Sequence, residues 1–196
     1  MSRLRQLHRN ELDPSGLEVW DLIVGTRGAQ VVGESGVLTG PFNAMVHAPD
    51  VGRNIASLGA VLRFGTSMDR RLTEVAILTV ASRWKAEFEW WAHARLACET
   101  GVPQAVVEAI GRGEEPPFES DDERIVYAAA RELTTTGKVS QEHYDAAAAL
   151  LGESSIVELI SLCGYYSLIS FLLNSFDVPL PPGVQPNWAS TDADSG

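Results

Sequence analysis

The chain has 196 residues, of which 45% are hydrophobic, and its formal net charge is −11. This length is enough to bury the core of one domain. The acidic balance argues against a nucleic-acid partner, which would require a basic surface. The first ten residues are polar and basic with no apolar run behind them, so no signal peptide is predicted. Two cysteines, Cys98 and Cys163, lack disulfide or metal-ligand spacing and indicate a reducing, cytoplasmic location.

Helical signals run through the first third of the chain, and no segment alternates convincingly as a strand. Asp13 followed by a proline predicts a helix start, and that helix is expected to end near Gly25. The glycine-rich stretch at 25–40 predicts a loop. A phosphate-binding role for this loop is disfavoured because no dinucleotide-binding or Walker pattern accompanies it. Pro49 opens the next helix, which is expected to end at Gly65.

The rest of the chain also predicts helices. Residues 68–82 are apolar almost all round, which indicates a core helix and therefore a buried Glu74. The last helix, expected to be capped by Ser154 and Ser155, contains too many polar residues for a membrane span, so no membrane partner is predicted. Residues 181–196 are polar and proline-containing and predict a flexible tail. The helices after residue 82 are predicted at 86–100, 102–110, 121–135, 140–151 and 154–175.

Three ionisable residues form the strongest functional pattern. Glu89 and His93 are four residues apart, so they share one face of the predicted helix and can exchange a proton. Histidine titrates nearest neutrality, and a carboxylate beside it raises its pKa and selects its tautomer. Glu74 lies on the preceding core helix, where a buried carboxylate must be paired or have its pKa raised.

The spacing of Glu74, Ala86, Glu89 and His93 resembles the carboxymuconolactone decarboxylase and alkylhydroperoxidase D superfamily. The redox members of that superfamily carry Glu, then Cys-x-x-Cys, then His in this register. The resemblance runs from about residue 41 to residue 179. It includes Pro-Phe-Asn at 41–43, Arg-Leu-Thr-Glu at 71–74 and Gly-Tyr-Tyr at 164–166.

The resemblance implies an all-α, alkylhydroperoxidase D-like helical bundle that self-associates as a dimer, trimer or hexamer. On this basis we divide the chain into three parts. An N-terminal helix and glycine-rich loop occupy residues 1–40, a carboxymuconolactone decarboxylase-like helical domain occupies 41–180, and the flexible tail occupies 181–196. We expect the aromatic-rich segment at 84–91 and the tail to contribute to contacts between copies.

Ala86 and Glu89 stand where the redox members have their two cysteines, so disulfide exchange lacks its thiols. The resemblance then implies a cofactor-independent enzyme of the acid–base branch, acting on a small unsaturated or cyclic organic acid by decarboxylation, isomerisation or a related lyase step. His93 would donate or relay the proton, Glu74 would orient His93, and Glu89 would act as a second acid–base group. The alternatives are a peroxide-related oxidoreductase without the cysteine pair and a non-catalytic oligomeric ligand-binding protein.

Several residues are candidates for holding the substrate. Arg71 could clamp a substrate carboxylate or, equally well, form a structural ion pair. Arg63 and Arg70 are weaker candidates for the same roles. Asn43 could hold a carboxylate or a developing oxyanion. Apolar walls are expected from Phe42 and Trp90.

Tyr165 is a further candidate for the substrate site. Because Tyr165 and Tyr166 are consecutive on a helix and face different directions, we expect at most one of them to point into the site. A cavity touching both Glu74 and His93 would favour an enzyme, whereas apolar packing over His93 would favour a structural role.

The sequence predicts no metal and no organic cofactor. His93 with two carboxylates imitates a metal-ligand set, but the other three histidines are far away in sequence, whereas zinc and iron sites usually collect several histidines. No flavin, nicotinamide or pyridoxal motif is present.

Overall fold

A computed structural model describes residues 2–188, and over this range the secondary structure is helical. Extended pairing within these residues is confined to two isolated bridges, His8 with Val37 and Val32 with Leu38. The predicted all-α class is therefore confirmed. The α-helices are α1 (Pro14–Arg27), α2 (Phe42–His47), α3 (Pro49–Phe64), α4 (Arg70–Trp84), α5 (Glu87–Glu99), α6 (Gln104–Arg112), α7 (Asp121–Thr136), α8 (Gln141–Leu151) and α9 (Glu153–Ser175).

Several predicted helix boundaries differ from the structure by one or two residues, including both ends of α4 and of α6. Helix α1 continues through Gly25 and ends at Gly28, whose φ of 86° only glycine adopts easily. Helix α9 begins at Glu153, one residue earlier than expected, with Gly152 at its N-cap. The Ser155 hydroxyl instead lies 2.9 Å from the Ser67 hydroxyl, so it ties α9 to the segment before α4. Helix α2 was not predicted, because its six residues are too few to show a helical period.

Helix α4 forms the centre of the molecule. Its ten consecutive residues from Leu72 to Ala81 are all buried, because the helix packs against α5, α6, α7 and α9. Asp69 caps its start by accepting a hydrogen bond from the Arg71 amide at 2.7 Å. Its end turns sharply into α5 through Lys85, which adopts a left-handed φ of 49°. This short turn places the first two turns of α5 against the middle of α4.

Both ends of the described chain pack against the helical body. Near the start, the Arg3 amide donates to the Phe176 carbonyl at 2.8 Å, and α1 packs on α3. Near the end, the Trp188 amide donates to the Glu87 carboxylate at 2.8 Å. Within the tail predicted at 181–196, residues 187 and 188 are held against α5, and residues 189–196 lie outside the described range. The three-part division of the chain stays a prediction.

Helix α9 is long and apolar enough by composition to cross a membrane, with a mean hydropathy of 1.8 in its most apolar window. Half of that window is buried inside the fold. Helix α9 contacts α4, α7 and α8, so this apolar character serves the core. The cytoplasmic location stays a prediction.

Helices α3 and α9 contact each other. Their outer faces carry exposed apolar side chains. We call this surface the α3/α9 face. Exposed side chains of this size on adjacent helices are typical of protein interaction surfaces. Its residues are Leu58, Val61 and Phe64 on α3 and Val157, Ile160, Leu168 and Phe171 on α9.

We expect the chain to self-associate through the α3/α9 face, because burying it would remove apolar area from water. Light scattering at micromolar concentration should give a multiple of the 21.2 kDa chain mass. Val61→Glu and Val157→Glu, at side chains 59% and 65% exposed, should shift the mass towards the monomer without unfolding it. Tyr144→Glu on α8 is the control. A monomeric wild-type protein would contradict the prediction.

Candidate functional site

Glu74 and His93 form a buried pair between α4 and α5. The Nδ1 atom of His93 lies 2.6 Å from Oε2 of Glu74. Glu74 is 1% exposed and His93 is 2% exposed. On the other side of the ring, Nε2 lies 2.9 Å from Oε1 of Glu89, one turn earlier on α5. The structure therefore brings together the three residues that the spacing singled out.

Arg63, at the end of α3, makes the third polar contact of the histidine ring. Its Nη1 lies 3.0 Å from Nε2 of His93. Since a guanidinium only donates, neutral His93 accepts from Arg63 at Nε2 and donates from Nδ1 to Glu74. Protonated His93 donates from Nε2 to Glu89 instead. The two neighbours of Nε2 therefore match the two protonation states of the ring.

The charges around the pair shift its pKa values in opposite directions. Burial alone would lower the pKa of His93, but the charge and hydrogen bond of Glu74, assisted by Glu89, outweigh burial and raise it. Burial alone would raise the pKa of Glu74, but His93 and the arginines Arg63 and Arg70 lower it. Both shifts favour the ion pair of imidazolium and carboxylate.

One wall of a cavity of about 960 Å³ contains His93, Glu89 and Arg63. Because Glu89 and Arg63 both contact Nε2, this nitrogen is the one on the cavity side of the ring. Glu74 does not line the cavity and supports the ring from behind, so the cavity meets the criterion set for an enzyme at His93 but not at Glu74. Aromatic side chains make much of the remaining wall, namely Phe42, Phe64, Phe88, Trp90, Trp91, Tyr165 and Tyr166.

Three of the predicted substrate-binding residues, Phe42, Trp90 and Tyr165, line this cavity. The expectation that only one of Tyr165 and Tyr166 would do so was wrong. The Tyr166 ring lies edge-on to His93 with centroids 5.3 Å apart, and the Tyr165 ring lies edge-on to Tyr166 at the same distance. The cavity wraps far enough around α9 to reach two consecutive positions.

Arg71 and Asn43 do not line the cavity, so their substrate role stays a prediction that the cavity does not support. The Arg71 guanidinium pairs with Asp122 and Glu123 on α7, each at 2.6 Å. Hydrogen bonds from Arg71 lower the pKa of Asp122 to about 2, because they outweigh burial, which alone would raise it. The Asn43 amide exchanges two hydrogen bonds with the Leu7 backbone, at 3.0 and 3.1 Å. Both side chains hold the fold together.

The segment 184–187 also lines the cavity, although no motif in the sequence indicated this. Glu87 anchors this segment, since its carboxylate accepts from the amides of Asn187 and Trp188 at 2.7 and 2.8 Å. The Trp188 ring packs edge-on to Trp90 at 5.3 Å. The C-terminal segment therefore forms a wall beside the first turn of α5.

Neither cysteine lies in this wall. Cys98 is partly exposed and its thiol is 3.0 Å from the Gln104 side-chain oxygen. Burial and the nearby charges of Glu108 and Glu99 raise its pKa. Burial raises the pKa of Cys163 to about 12. Both thiols are therefore poorly ionised near neutral pH.

Within residues 2–188 there is no cluster of three His, Cys, Asp or Glu side chains arranged to hold a metal. The site geometry supplies the reason, because Glu74 and Glu89 approach opposite nitrogens of His93. A cation cannot contact both carboxylates and the ring from one point. That no metal or cofactor takes part stays a prediction.

No protein-family model and no curated protein sequence matches this chain. Solved structures do resemble it. The debrominase Bmp8 in its apo form is 17% identical, with a TM-score of 0.69 over 90% of this chain and 91% of that chain. An alkylhydroperoxidase D core, an uncharacterized peroxidase-related protein from Ralstonia eutropha JMP134, is 11% identical, with a TM-score of 0.73 over 92% and 93%.

A debrominase Bmp8 variant in which a cysteine is replaced by alanine, bound to 2,3,4-tribromopyrrole, is also similar. It is 18% identical, with a TM-score of 0.70 over 93% of this chain and 95% of that chain. These similarities establish the fold. The chain has the alkylhydroperoxidase D-like helical fold, as its motif spacing predicted.

Replacing Arg71 tests its structural role. Arg71→Met should lower the free energy of unfolding by about 2 kcal/mol, because two carboxylates, one of them buried, lose their cation. Urea unfolding measures this. Arg9→Met is the matched control, since Arg9 pairs with Asp21 between exposed side chains and should cost less than about 1 kcal/mol. Equal losses in the two variants would contradict the assignment.

The pH dependence of stability tests the buried pair. The lowered pKa of Glu74 adds stability that is present above its unfolded value of 4.5 and lost as pH falls through the folded value. The raised pKa of His93 adds stability that is fully present below 6.5 and lost as pH rises through the folded value. The contribution of the pair should therefore be largest between these two values.

We expect His93→Gln to flatten the decline of stability above pH 6.5, as measured by urea unfolding at a series of pH values. His47→Gln is the control, because His47 is exposed and its Nε2 atom hydrogen bonds to the Arg5 carbonyl, at 2.9 Å. An unchanged pH profile in His93→Gln would show that the pair does not form.

Proposed function

We propose that this protein is an enzyme that transfers a proton to or from carbon on a small unsaturated or cyclic organic acid. Decarboxylation or isomerisation of the carboxymuconolactone decarboxylase type fits this chemistry. One observation carries the proposal. The Nε2 atom of His93 lies between an arginine and a carboxylate in the wall of an aromatic cavity, and a second carboxylate holds the opposite nitrogen.

The decarboxylation step would proceed as follows. The bond between the carboxylate carbon and the ring or chain carbon breaks, and carbon dioxide leaves. The electron pair moves into the conjugated system and places a negative charge on an enolate oxygen. The Arg63 guanidinium stabilises this charge. The protonated His93 then delivers the Nε2 proton to carbon. Glu89, 2.9 Å from Nε2, returns a proton from solvent to the ring.

Glu74 acts as a positioning residue, because it contacts His93 and does not line the cavity. Its carboxylate accepts from Nδ1, which fixes the ring orientation with Nε2 beside Arg63 and Glu89. Its charge also favours the imidazolium form, the form that donates the proton. General acid catalysis of this kind contributes about 10²- to 10⁴-fold to a rate.

The cavity wall favours a flat, conjugated substrate. Aromatic side chains surround the histidine, and they exclude water and pack against unsaturated groups. The similar Bmp8 variant binds a small aromatic ring, 2,3,4-tribromopyrrole. That precedent supports a ring-sized ligand in this fold.

Peroxide-related redox chemistry is the second candidate, favoured by the similarity to a peroxidase-related protein. It would require a reactive thiol. The chain has two cysteines, both with raised pKa values and both outside the cavity wall. The acid–base proposal is therefore better supported by the residues at the site.

Substrate screening tests the proposal. Unsaturated lactone carboxylates and unsaturated 2-oxo acids would be incubated with the enzyme in D₂O, and NMR would follow carbon deuteration and loss of the carboxylate. His93→Gln should lower any observed turnover by at least about 10²-fold, because the proton donor is removed. Glu74→Gln should lower kcat by a smaller factor and shift its pH profile, because the imidazolium loses its counter-charge.

His47→Gln is the control and should keep wild-type turnover. Full activity of His93→Gln on an accepted substrate would place the reaction elsewhere. The redox candidate makes a different prediction, because peroxide turnover with a dithiol donor would disappear in Cys98→Ser and persist in His93→Gln.

A further inference from the structure

A second cationic group lies in the cavity and has no part in the proton transfer described above. Arg27, at the end of α1, lines the cavity. Its Cζ atom lies 4.9 Å from the centre of the Phe42 ring, so cation–π contact restrains the guanidinium. Within residues 2–188 Arg27 forms no ion pair, and its buried Nε atom has no hydrogen-bond partner. No carboxylate in this range therefore neutralises the guanidinium, and an anionic ligand in the cavity would supply the missing counter-charge.

Tyr165 lies beside this guanidinium, and Gly59 on α3 makes room for both. A Cβ atom at Gly59 would be 2.0 Å from the Tyr165 hydroxyl and 2.8 Å from Nη2 of Arg27. The two polar groups therefore converge over the same glycine. Burial raises the pKa of Tyr165 to about 12, so its hydroxyl keeps its proton and can donate it in a hydrogen bond.

We propose that Arg27 and Tyr165 form a carboxylate-binding subsite over Gly59, separate from the His93 end of the cavity. The guanidinium would donate to the carboxylate through its fork, and the tyrosine hydroxyl would donate a further hydrogen bond. The inference deepens the proposed function, on which it rests for the position of the reacting carbon. The substrate is then an acid with a carboxylate remote from the atom that accepts the proton.

The spacing between the two ends limits the size of this substrate. Tyr166 lies between them, with its ring centre 5.3 Å from that of Tyr165 and 5.3 Å from that of His93. The Tyr165 and His93 rings are therefore separated by at most two such steps. One small ring, or a short conjugated chain, spans this distance together with its substituents. The subsite selects compact unsaturated acids over long-chain acids.

Binding of a simple probe tests the subsite independently of turnover. Benzoate, and benzamide as its neutral counterpart, would be titrated against the full chain while tryptophan fluorescence is followed, with calorimetry as a second readout. The wild-type protein should bind benzoate at least tenfold more tightly than benzamide. Arg27→Met should weaken benzoate binding by about tenfold or more, since bonds to charged groups are the strong ones. Benzamide binding should change little.

Four further variants separate the subsite from general damage. Gly59→Ala should weaken benzoate binding because its Cβ displaces Tyr165 and Arg27, whereas Gly25→Ala, where a Cβ meets nothing within 4 Å, should not. Arg9→Met removes an exposed arginine and should leave binding unchanged. Thermal unfolding of each variant identifies any loss of fold, and Arg27→Lys, which keeps the charge, should recover part of the affinity.

The proposal fails if folded Arg27→Met binds benzoate as the wild-type protein does. It also fails if wild-type binding does not saturate below about 10 mM. These outcomes differ from failure of the proposed function, which is decided by turnover in His93→Gln. Loss of turnover in His93→Gln with unchanged benzoate binding would support both.

Discussion

The structure depends on a carboxylate buried in its centre. Glu74 is the third of ten consecutive buried residues of α4 and is 1% exposed. An ionised carboxylate in such a place requires a partner with a positive charge or donated hydrogen bonds. His93 is that partner, at 2.6 Å. The packing of α5 on α4 and the chemistry of the cavity therefore rest on the same contact.

The local backbone accepts strain and close packing to make this contact. Lys85 takes a left-handed conformation between α4 and α5, which costs roughly 1 kcal/mol for a residue other than glycine. Gly111 lets Trp90 approach α6 so closely that a Cβ there would be 2.7 Å from the indole. These features orient the first two turns of α5. Glu89 and His93 consequently face α4 and the cavity.

The sequence predicted the parts of the site that depend on local periodicity. Glu89 and His93 are one helical turn apart, so they share a face of α5. Glu74 belongs to a helix that is apolar almost all round, which predicts that it is buried. Helical periodicity could not identify the arginine that contacts His93. Arg63 lies at the end of α3 and Arg71 at the start of α4. Only the packing of the helices decides that Arg63 reaches His93 and that Arg71 pairs with α7.

Asn43 illustrates the same limit in the fold. Its polar side chain beside Phe42 suggested a ligand contact, yet the amide satisfies the Leu7 backbone from a segment 36 residues earlier in the chain. Periodicity predicts which face of a helix is buried, but it carries no information on which distant polar group needs a partner. Helix α2 was missed for a related reason, since six residues complete fewer than two turns.

The distribution of charge explains how an acidic protein can bind an acid. The net charge of −11 repels anions at long range, but salt screens that repulsion beyond about 8 Å at physiological ionic strength. Inside the cavity the nearest charges decide the outcome. Arg27 and Arg63 both line the wall, and the low polarity of the aromatic surroundings strengthens their attraction for a carboxylate. Affinity for an acid would then come from short-range contacts, and the acidic exterior would reduce only the rate of encounter.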